Sequence, residues 1–328
     1  MHLAWLLFTI RFMTKILVTG AFGQIGSELV PTLQKMHATE AIVALGHKNV
    51  PDNFPGIVEA GDVTDLDFLK TLINKHHVDT IYHLAALLSV VSEQKPQEAW
   101  QVNVIGLKNI LDIAKEKKIR VFWPSSIAVF GPTTPKENTP QTTIIEPTTM
   151  YGVNKLIGES LCHYYYLKYG LDVRSVRYPG LLDYKTPPSL GTSEYAKEIF
   201  WKAIKDGYYE APLRADTRLP MMYMLDAIRA TNMIMHAPED KINVRTSYNI
   251  SAISFTPEEL ATEIKKYVPE LTIKYKETEI QPIADSWPDS IDDSQAEQDW
   301  DWSPEYNLSS MVKEMYEHIK QKIEHGTT

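Results

Sequence analysis

Tyr151 and Lys155 stand four residues apart in Tyr-Gly-Val-Asn-Lys, a spacing that puts both on one face of a helix. A phenol titrates near pH ~10 in water, and an adjacent ammonium stabilises its anion. Such a pair could take a proton from an alcohol while hydride leaves the carbon, the work of a general base tuned toward the working pH. Spacing alone is weak evidence, because Tyr164 and Lys168 repeat it. Thirteen residues of helix separate the two tyrosines, about 20 Å, so one pair at most can serve a given site. Tyr151 is set apart by the upstream WPSSIAVFG, in which Ser125 and Ser126 close an apolar run. Ligands of open α/β sheets bind at such strand ends, although a turn or cap hydroxyl is the competing reading of the two serines.

Positioning that set requires a sheet whose strands all end on one side, and the chain carries the pattern. From Lys15 short apolar runs alternate with amphipathic stretches: KILVTG, a helix from Gln24, AIVAL, a helix from Asp65, TIYHLAA, a helix over 96–118, RVFWPSS, a helix over 151–169 and VRSVRYP. Alternation of this kind predicts βαβ units in an α/β fold with a doubly wound parallel sheet. Pro31 should kink the first helix, yet Leu29, Leu33 and Met36 keep a helical apolar face. After Pro179 the rhythm changes through TPPSLGTSEY to a helix from Tyr195, LPMMYMLDAIRATNMIM, YNISAIS, a helix from Pro257, LTIKYKE and a Trp-rich acidic tail. The expected division is a dinucleotide-binding domain at 13–180 and a smaller C-terminal α/β substrate lobe at 181–328. Segments near 221–236 and 248–250 are expected to return to the first domain.

Gly20, Gly23 and Gly26 in TGAFGQIG fall at the first strand-to-helix turn, with Gln24 and Ile25 between the last two. There the glycines permit a tight turn, approach of backbone to a pyrophosphate and close helix packing, while the helix N-terminus favours the phosphate charge. The position at the head of a long α/β pattern marks this as a dinucleotide site. At the end of the second strand an acid normally holds the adenosine ribose, but VALGHKN offers Gly46, His47 and Lys48. NAD is the expected cofactor even so, because no arginine follows that strand and Phe22 is not basic.

The 328 residues carry a net charge of −9 with no long basic run, which disfavours nucleic acid and membrane as partners. Cys162 is the sole cysteine and the ten histidines are scattered, His76-His77 reading as a solvated helix end. No metal site is expected, H-E-x-x-H, G-x-S-x-G and P-loop patterns are missing, and a reducing cytoplasm fits best. The apolar run at 1–12 is too short to span a bilayer and is expected to lie outside the fold.

The G-x-x-G-x-x-G turn with its Ser/Tyr/Lys set resembles the extended branch of the short-chain dehydrogenase superfamily, whose Rossmann fold it implies. ALLSVVSEQKP, WPSSIAVFGPTTPKENTP, TPPSLGTSEYA, LPMMYMLDAI and SWPDSIDDSQAEQDW resemble, more narrowly, its short-chain L-threonine 3-dehydrogenases. That resemblance implies NAD-dependent oxidation of the L-threonine hydroxyl to 2-amino-3-ketobutyrate by a homodimer paired through helices 96–118 and 151–169. It implies Tyr151, Lys155 and Ser126 as catalytic, and adds Asp62, Val63, Leu84, Ala85, Ala86, Asn103 and Tyr178 to the cofactor contacts. Ser89, Ser126, Tyr151, Gly191, Thr192 and Ser193 would hold the amino acid. The chain departs from that family at Gly46, where an Asp is usual, at Ser189-Leu190, where glycines run, and at Glu194, where Asp stands. Thr192-Ser193-Glu194 could equally cap the helix that follows. Met221, Met222 and Met224 read as core, with Met222 or Leu190 the candidates to face the substrate methyl.

Two other functions compete. A nucleotide-sugar epimerase or dehydratase shares the turn and the Ser/Tyr/Lys set and would need basic groups for a diphosphate, for which Arg214, Arg218, Arg229 and Arg245 are available. A non-catalytic dinucleotide sensor would not need a tuned base.

Overall fold

A computed structural model describes residues 14–47, 50–51, 54–188 and 191–326. The upstream run 1–12, Lys48 and the Ser189-Leu190 pair lie outside these residues.

The chain opens with β1 (Ile16–Thr19), α1 (Gly26–His37), β2 (Ile42–Gly46), β3 (Ile57–Ala60), α2 (Leu66–His76) and β4 (Thr80–His83). Helices α3 (Ser89–Gln94), α4 (Pro96–Trp100) and α5 (Gly106–Lys117) follow, the last two joined by a π-turn at Gln101–Ile105. Next come β5 (Arg120–Phe122), β6 (Ser125–Ser126), α6 (Met150–Tyr169), β7 (Val173–Arg174), β8 (Val176–Tyr178) and β9 (Gly180–Leu182). The remainder holds α7 (Tyr195–Asp206), β10 (Tyr208–Ala211), β11 (Leu219–Tyr223), α8 (Met224–His236), β12 (Tyr248–Asn249) and β13 (Ile253–Phe255). It ends with α9 (Pro257–Ile264), β14 (Thr272–Tyr275), α10 (Gln281–Ser286), α11 (Ser294–Trp300) and α12 (Leu308–Glu324).

Six strands form a parallel sheet in the order β3-β2-β1-β4-β5-β7, the expected doubly wound Rossmann arrangement. RVFWPSS and VRSVRYP each read as one strand but form two. Pro124 has no amide to give a ladder, so β6 and β8 pair separately, Ser125 with Arg177 and Ser126 with Tyr178. β12 then joins β8 as an edge strand, parallel to it, Tyr248 opposite Val176. Helix α1 runs through Pro31, which forfeits the bond to the Ser27 carbonyl. Leu29, Val30 and Leu33 are buried on its inner face, whereas Met36, expected beside them, is half exposed.

Apolar clusters cover both faces of the sheet. On one, Leu69, Leu107, Ile110 and Cys162 pack against Leu17, Ile81 and Val121. On the other, Met224, Ala227, Ile228 and Ile234 of α8 pack with Leu29, Val30 and Leu33 of α1, joined by Tyr248 and Ile250. Each such side chain contributes about 1.5–3 kcal/mol when removed from water. Buried Arg174 fastens α8 to the sheet by donating to the carbonyls of Ile234 and Ala237, groups a helix end leaves unpaired. A third cluster gathers Ile199, Phe200, Leu260, Met311 and Met315 of the C-terminal part with residues 127–130, which follow β6, around the two-stranded β10-β14 and three-stranded β13-β11-β9 sheets. His76 is not a solvated end, for its Nε2 lies 2.6 Å from Glu59 Oε1 and its side chain is largely covered.

Candidate active site

Gly20 adopts φ +68°, the left-handed turn geometry that favours glycine, and the Gly23 amide donates to its carbonyl at 3.1 Å. A Cβ on Gly26 would stand 2.4 Å from the Gly20 oxygen and 2.5 Å from that of Ala21. The start of α1 can approach the β1 turn this closely only without a side chain, which leaves a cradle of backbone amides at a helix N-terminus, the form of a pyrophosphate site. Beyond it opens a cavity of ≈ 240 Å³ lined by Gly20, Gly23, Gly46, His47, Asp62, Val63, Leu84, Ala85 and Ala86. These residues fit a dinucleotide. Asp62 accepts from the Thr64 amide at 2.8 Å and turns its other oxygen toward His47 Nε2 at 3.8 Å. Asn103, inside the π-turn, has both amide ends on the Leu87 backbone, at 2.8 and 3.0 Å. Its side chain therefore shapes the loop after β4, a use of helix irregularity frequent at functional sites.

At the other end of the cleft a chamber of ≈ 140 Å³ is bordered by Gln24, Ile25, Ser89, Ser125, Ser126, Tyr151, Lys155, Tyr178, Gly191, Thr192, Ser193, Glu194 and Trp287. Thr149 caps α6 by accepting from the Gly152 amide, so Tyr151 stands in the first helical turn against the end of β6. Burial pushes the Tyr151 phenol up to about 12, with a hydrogen bond to Ser126 opposing it. Lys155 is 4% exposed, its Nζ donating to the Pro124 carbonyl at 2.6 Å and lying 5.5 Å from the centre of the Tyr151 ring. Desolvation draws this ammonium down to about 7. Burial thus dominates the phenol, and the bond from Ser126, not the Lys155 charge, is what opposes it. Ser126 also accepts from the Ala128 amide at 3.2 Å, so the cap reading and the site position hold together.

Behind this triad lies a support that sequence reasoning missed. Ser125 Oγ donates to Glu159 at 2.6 Å, and Arg177 grips the same carboxylate through Nε and Nη2, both at 2.8 Å, with both side chains buried. Glu159 lies one turn beyond Lys155 on the inner face of α6, a spacing that could have drawn notice. Its partner comes from β8 and carries no local signal.

The substrate side brings together Gly191, Thr192, Ser193 and Glu194 as a turn, the Glu194 amide donating to Gly191 at 3.2 Å. Glu194 stands at the N-cap position of α7, as the capping alternative has it, but its side chain makes no cap hydrogen bond there. Thr192 Oγ1 is buried with no hydrogen-bond partner among the described residues. Beneath the turn, Asp183 and Lys197 form a fully buried pair at 2.8 Å, and Lys197 also reaches Glu194 at 3.6 Å. Gln24, from the glycine turn, donates to Asp183 at 2.8 Å, so one network touches both ends of the cleft. Burial raises the Asp183 carboxyl, and Lys197 with the other donors outweighs it and holds the group below the usual range. Tyr178 borders the chamber, but its hydroxyl bonds Thr231 and the Ala227 carbonyl in the core. Met221, Met222 and Met224 are core as expected, and the chamber wall is supplied by Trp287 instead of Met222. Nothing in the SWPDS stretch had marked that tryptophan. Among the described residues no group of three or more His, Cys, Asp or Glu could hold a metal ion, and no helix is long and apolar enough to cross a membrane.

The sequence profile of the NAD dependent epimerase/dehydratase family matches residues 16–251. An uncharacterized epimerase/dehydratase of Staphylococcus aureus (strain USA300) is 45% identical over 94% of this chain and 98% of its own length. Among solved structures, a GalE-like L-threonine dehydrogenase from Cupriavidus necator in its holo form superposes with TM-score 0.91 at 46% identity, covering 93% of this chain and 100% of that one. An L-threonine dehydrogenase from Clostridium difficile gives TM-score 0.92 at 46% identity over 94% of this chain and 98% of its own.

Proposed function

We propose that this chain, which belongs to the NAD-dependent epimerase/dehydratase family, oxidises the 3-hydroxyl of L-threonine to 2-amino-3-ketobutyrate with Tyr151 as the base. The glycine turn and the cavity beyond it would hold NAD, which when bound would supply the hydride acceptor. Tyr151 Oη takes the hydroxyl proton, Ser126 Oγ orients the same oxygen, and Lys155 Nζ, held on the Pro124 carbonyl 5.5 Å from the centre of the Tyr151 ring, is placed to stabilise the phenolate with its charge. Ser89, Gly191, Thr192 and Ser193 receive the carboxylate and Glu194 the ammonium, replacing the hydration that a zwitterion gives up. Closure of the 191–194 turn would exclude water and strengthen the electrostatics around the developing ketone.

The observation that carries this reading is the small chamber beside Tyr151, whose apolar walls present the hydroxyls of Ser89, Ser126, Thr192 and Ser193 with Lys155 and Glu194 as the charged groups, and which has no arginine among its described lining residues. A sugar diphosphate calls for cations, and the arginines available to it are engaged elsewhere: Arg214 with Asp285, Arg218 with Glu259, Arg229 with Asp226 and Arg245 with Asp172. The L-threonine dehydrogenases among the superposed structures support the same substrate. A homodimer belongs to the proposal, supported by exposed Trp100 on α4 and Tyr164 and Leu167 on α6, as does a place in threonine breakdown in the cytoplasm. Following reduced-cofactor absorbance with L-threonine, D-threonine, serine and a UDP-hexose tests it. L-Threonine alone should be oxidised well. Conversion of the sugar nucleotide without L-threonine oxidation would replace this reading with the epimerase.

A further inference from the structure

The end of β2, where a carboxylate would read the adenosine ribose, holds Gly46, and the space above it is filled. A Cβ built on Gly46 would lie 2.6 Å from Phe22 Cδ2, 2.8 Å from Phe22 Cε2 and 2.9 Å from Val50 Cγ2. The Phe22 ring is braced in turn by the edge of Phe54, with centroids 5.2 Å apart and planes at 83°. Phe22 and Gly46 are therefore one packing unit, in which a ring from the glycine turn occupies the place of a side chain on β2.

An acid at this position discriminates in two ways. It accepts from the ribose hydroxyls, and it repels a phosphate on the ribose, the negative element in such specificity. With Gly46 both effects vanish. The carboxylate that remains on the described wall of this cavity, Asp62, has one oxygen on the Thr64 amide and the other toward His47. His47 itself is well exposed at the mouth, where an imidazole N–H can donate to a phosphate oxygen as readily as to a hydroxyl.

We propose that the adenosine end of this cleft accepts the 2′-phosphorylated and unphosphorylated nicotinamide dinucleotides with comparable affinity, because the Phe22 ring stands where the discriminating acid would be. The proposal rests on the dinucleotide reading of the cleft and is independent of the substrate.

Isothermal titration of the purified full chain with NAD and with NADP, in separate experiments without amino acid, tests it. The two Kd values should agree within about tenfold, a difference of about 1.4 kcal/mol. A preference of more than about tenfold for either ligand would overturn the proposal, and binding of neither would overturn the cleft assignment with it. The packing argument is tested by Gly46→Asp, which alone should weaken both ligands without creating a preference. Phe22→Ala combined with Gly46→Asp should favour NAD by more than tenfold. A Gly46→Asp protein that binds NAD undiminished and rejects NADP would show that the ring does not occupy the acid's place. The wild-type comparison decides the main claim even where the double variant does not fold.

Discussion

Helix α6 carries the same tyrosine–lysine spacing twice, and the surroundings of the two copies differ. Tyr151 and Lys155 face the ends of β6 and the Pro124 carbonyl, with Trp123 4.7 Å below the ammonium. Tyr164 is 51% exposed and packs edge-on against the neighbouring rings of Tyr165 and Tyr169, while Lys168 is exposed to solvent. The motif is thus a precondition. What sets the first copy apart is a strand end that desolvates the lysine and a serine that meets the phenol.

The sharpest way to break this comparison is to remove each phenol in turn. Tyr151→Phe should lower turnover about a thousandfold, within the usual range for a positioned acid–base group, and Tyr164→Phe should change it by less than about twofold. NAD titration should show similar affinity in both, and equal kinetic losses would sink the assignment of Tyr151. The support behind the first copy can be broken next. Glu159→Ala leaves Arg177 buried without its counter-ion, with only Nη1 still bonded to Gln141 and Asn249, and urea unfolding should reveal a loss of about 3–5 kcal/mol. Lys168→Met, at the exposed copy, should stay within about 0.5 kcal/mol.

A titration sharpens the contrast further. His83, at the end of β4 with Nδ1 2.8 Å from Thr19 Oγ1, is pulled down to about 3 by burial and then by the Lys155 charge. The unfolded chain binds that proton near pH ~6.5. Its contribution to stability is therefore complete above that value and is lost as the pH falls toward about 3. His83→Gln should flatten the dependence of Tm on pH across this window, and an unchanged slope would contradict the burial argument. A smaller loss than that of Tyr151 is expected from Thr192→Val, which should raise KM for L-threonine about tenfold, as befits one lost hydrogen bond, with little change in Tm. A Tm drop of many degrees would mean that the hydroxyl has a structural partner.

Periodicity and punctuation exposed the elements that act locally. The glycine turn, α6 with its Tyr/Lys face and the Ser125-Ser126 strand end all follow from spacing within one segment. What stayed hidden joins segments far apart in sequence: Arg177 on Glu159, Lys197 on Asp183, Trp287 on the chamber wall. Tyr178 had the right position on β8, yet its phenol turns into the core because Thr231 of α8 offers a partner there. Asn103 does not reach the cavity wall, where its neighbour Val102 stands, because a π-turn, which no residue pattern announced, aims it at Leu87. The vacancy at Gly46 was legible as a missing acid. That Phe22 fills it could be seen only once the turn and β2 were side by side.

The seating of β12 against β8 has a consequence for how the protein is made. On the ribosome β8 is complete at Tyr178, but its neighbour does not emerge until Tyr248, a delay of several seconds at about 5–20 residues per second. Over that interval the sheet shows an unpaired edge, and α1 lacks the cover that α8 brings. A nascent chain stalled inside the smaller lobe would therefore present both a row of open amides and a bare apolar helix face, the two surfaces on which neighbouring chains associate.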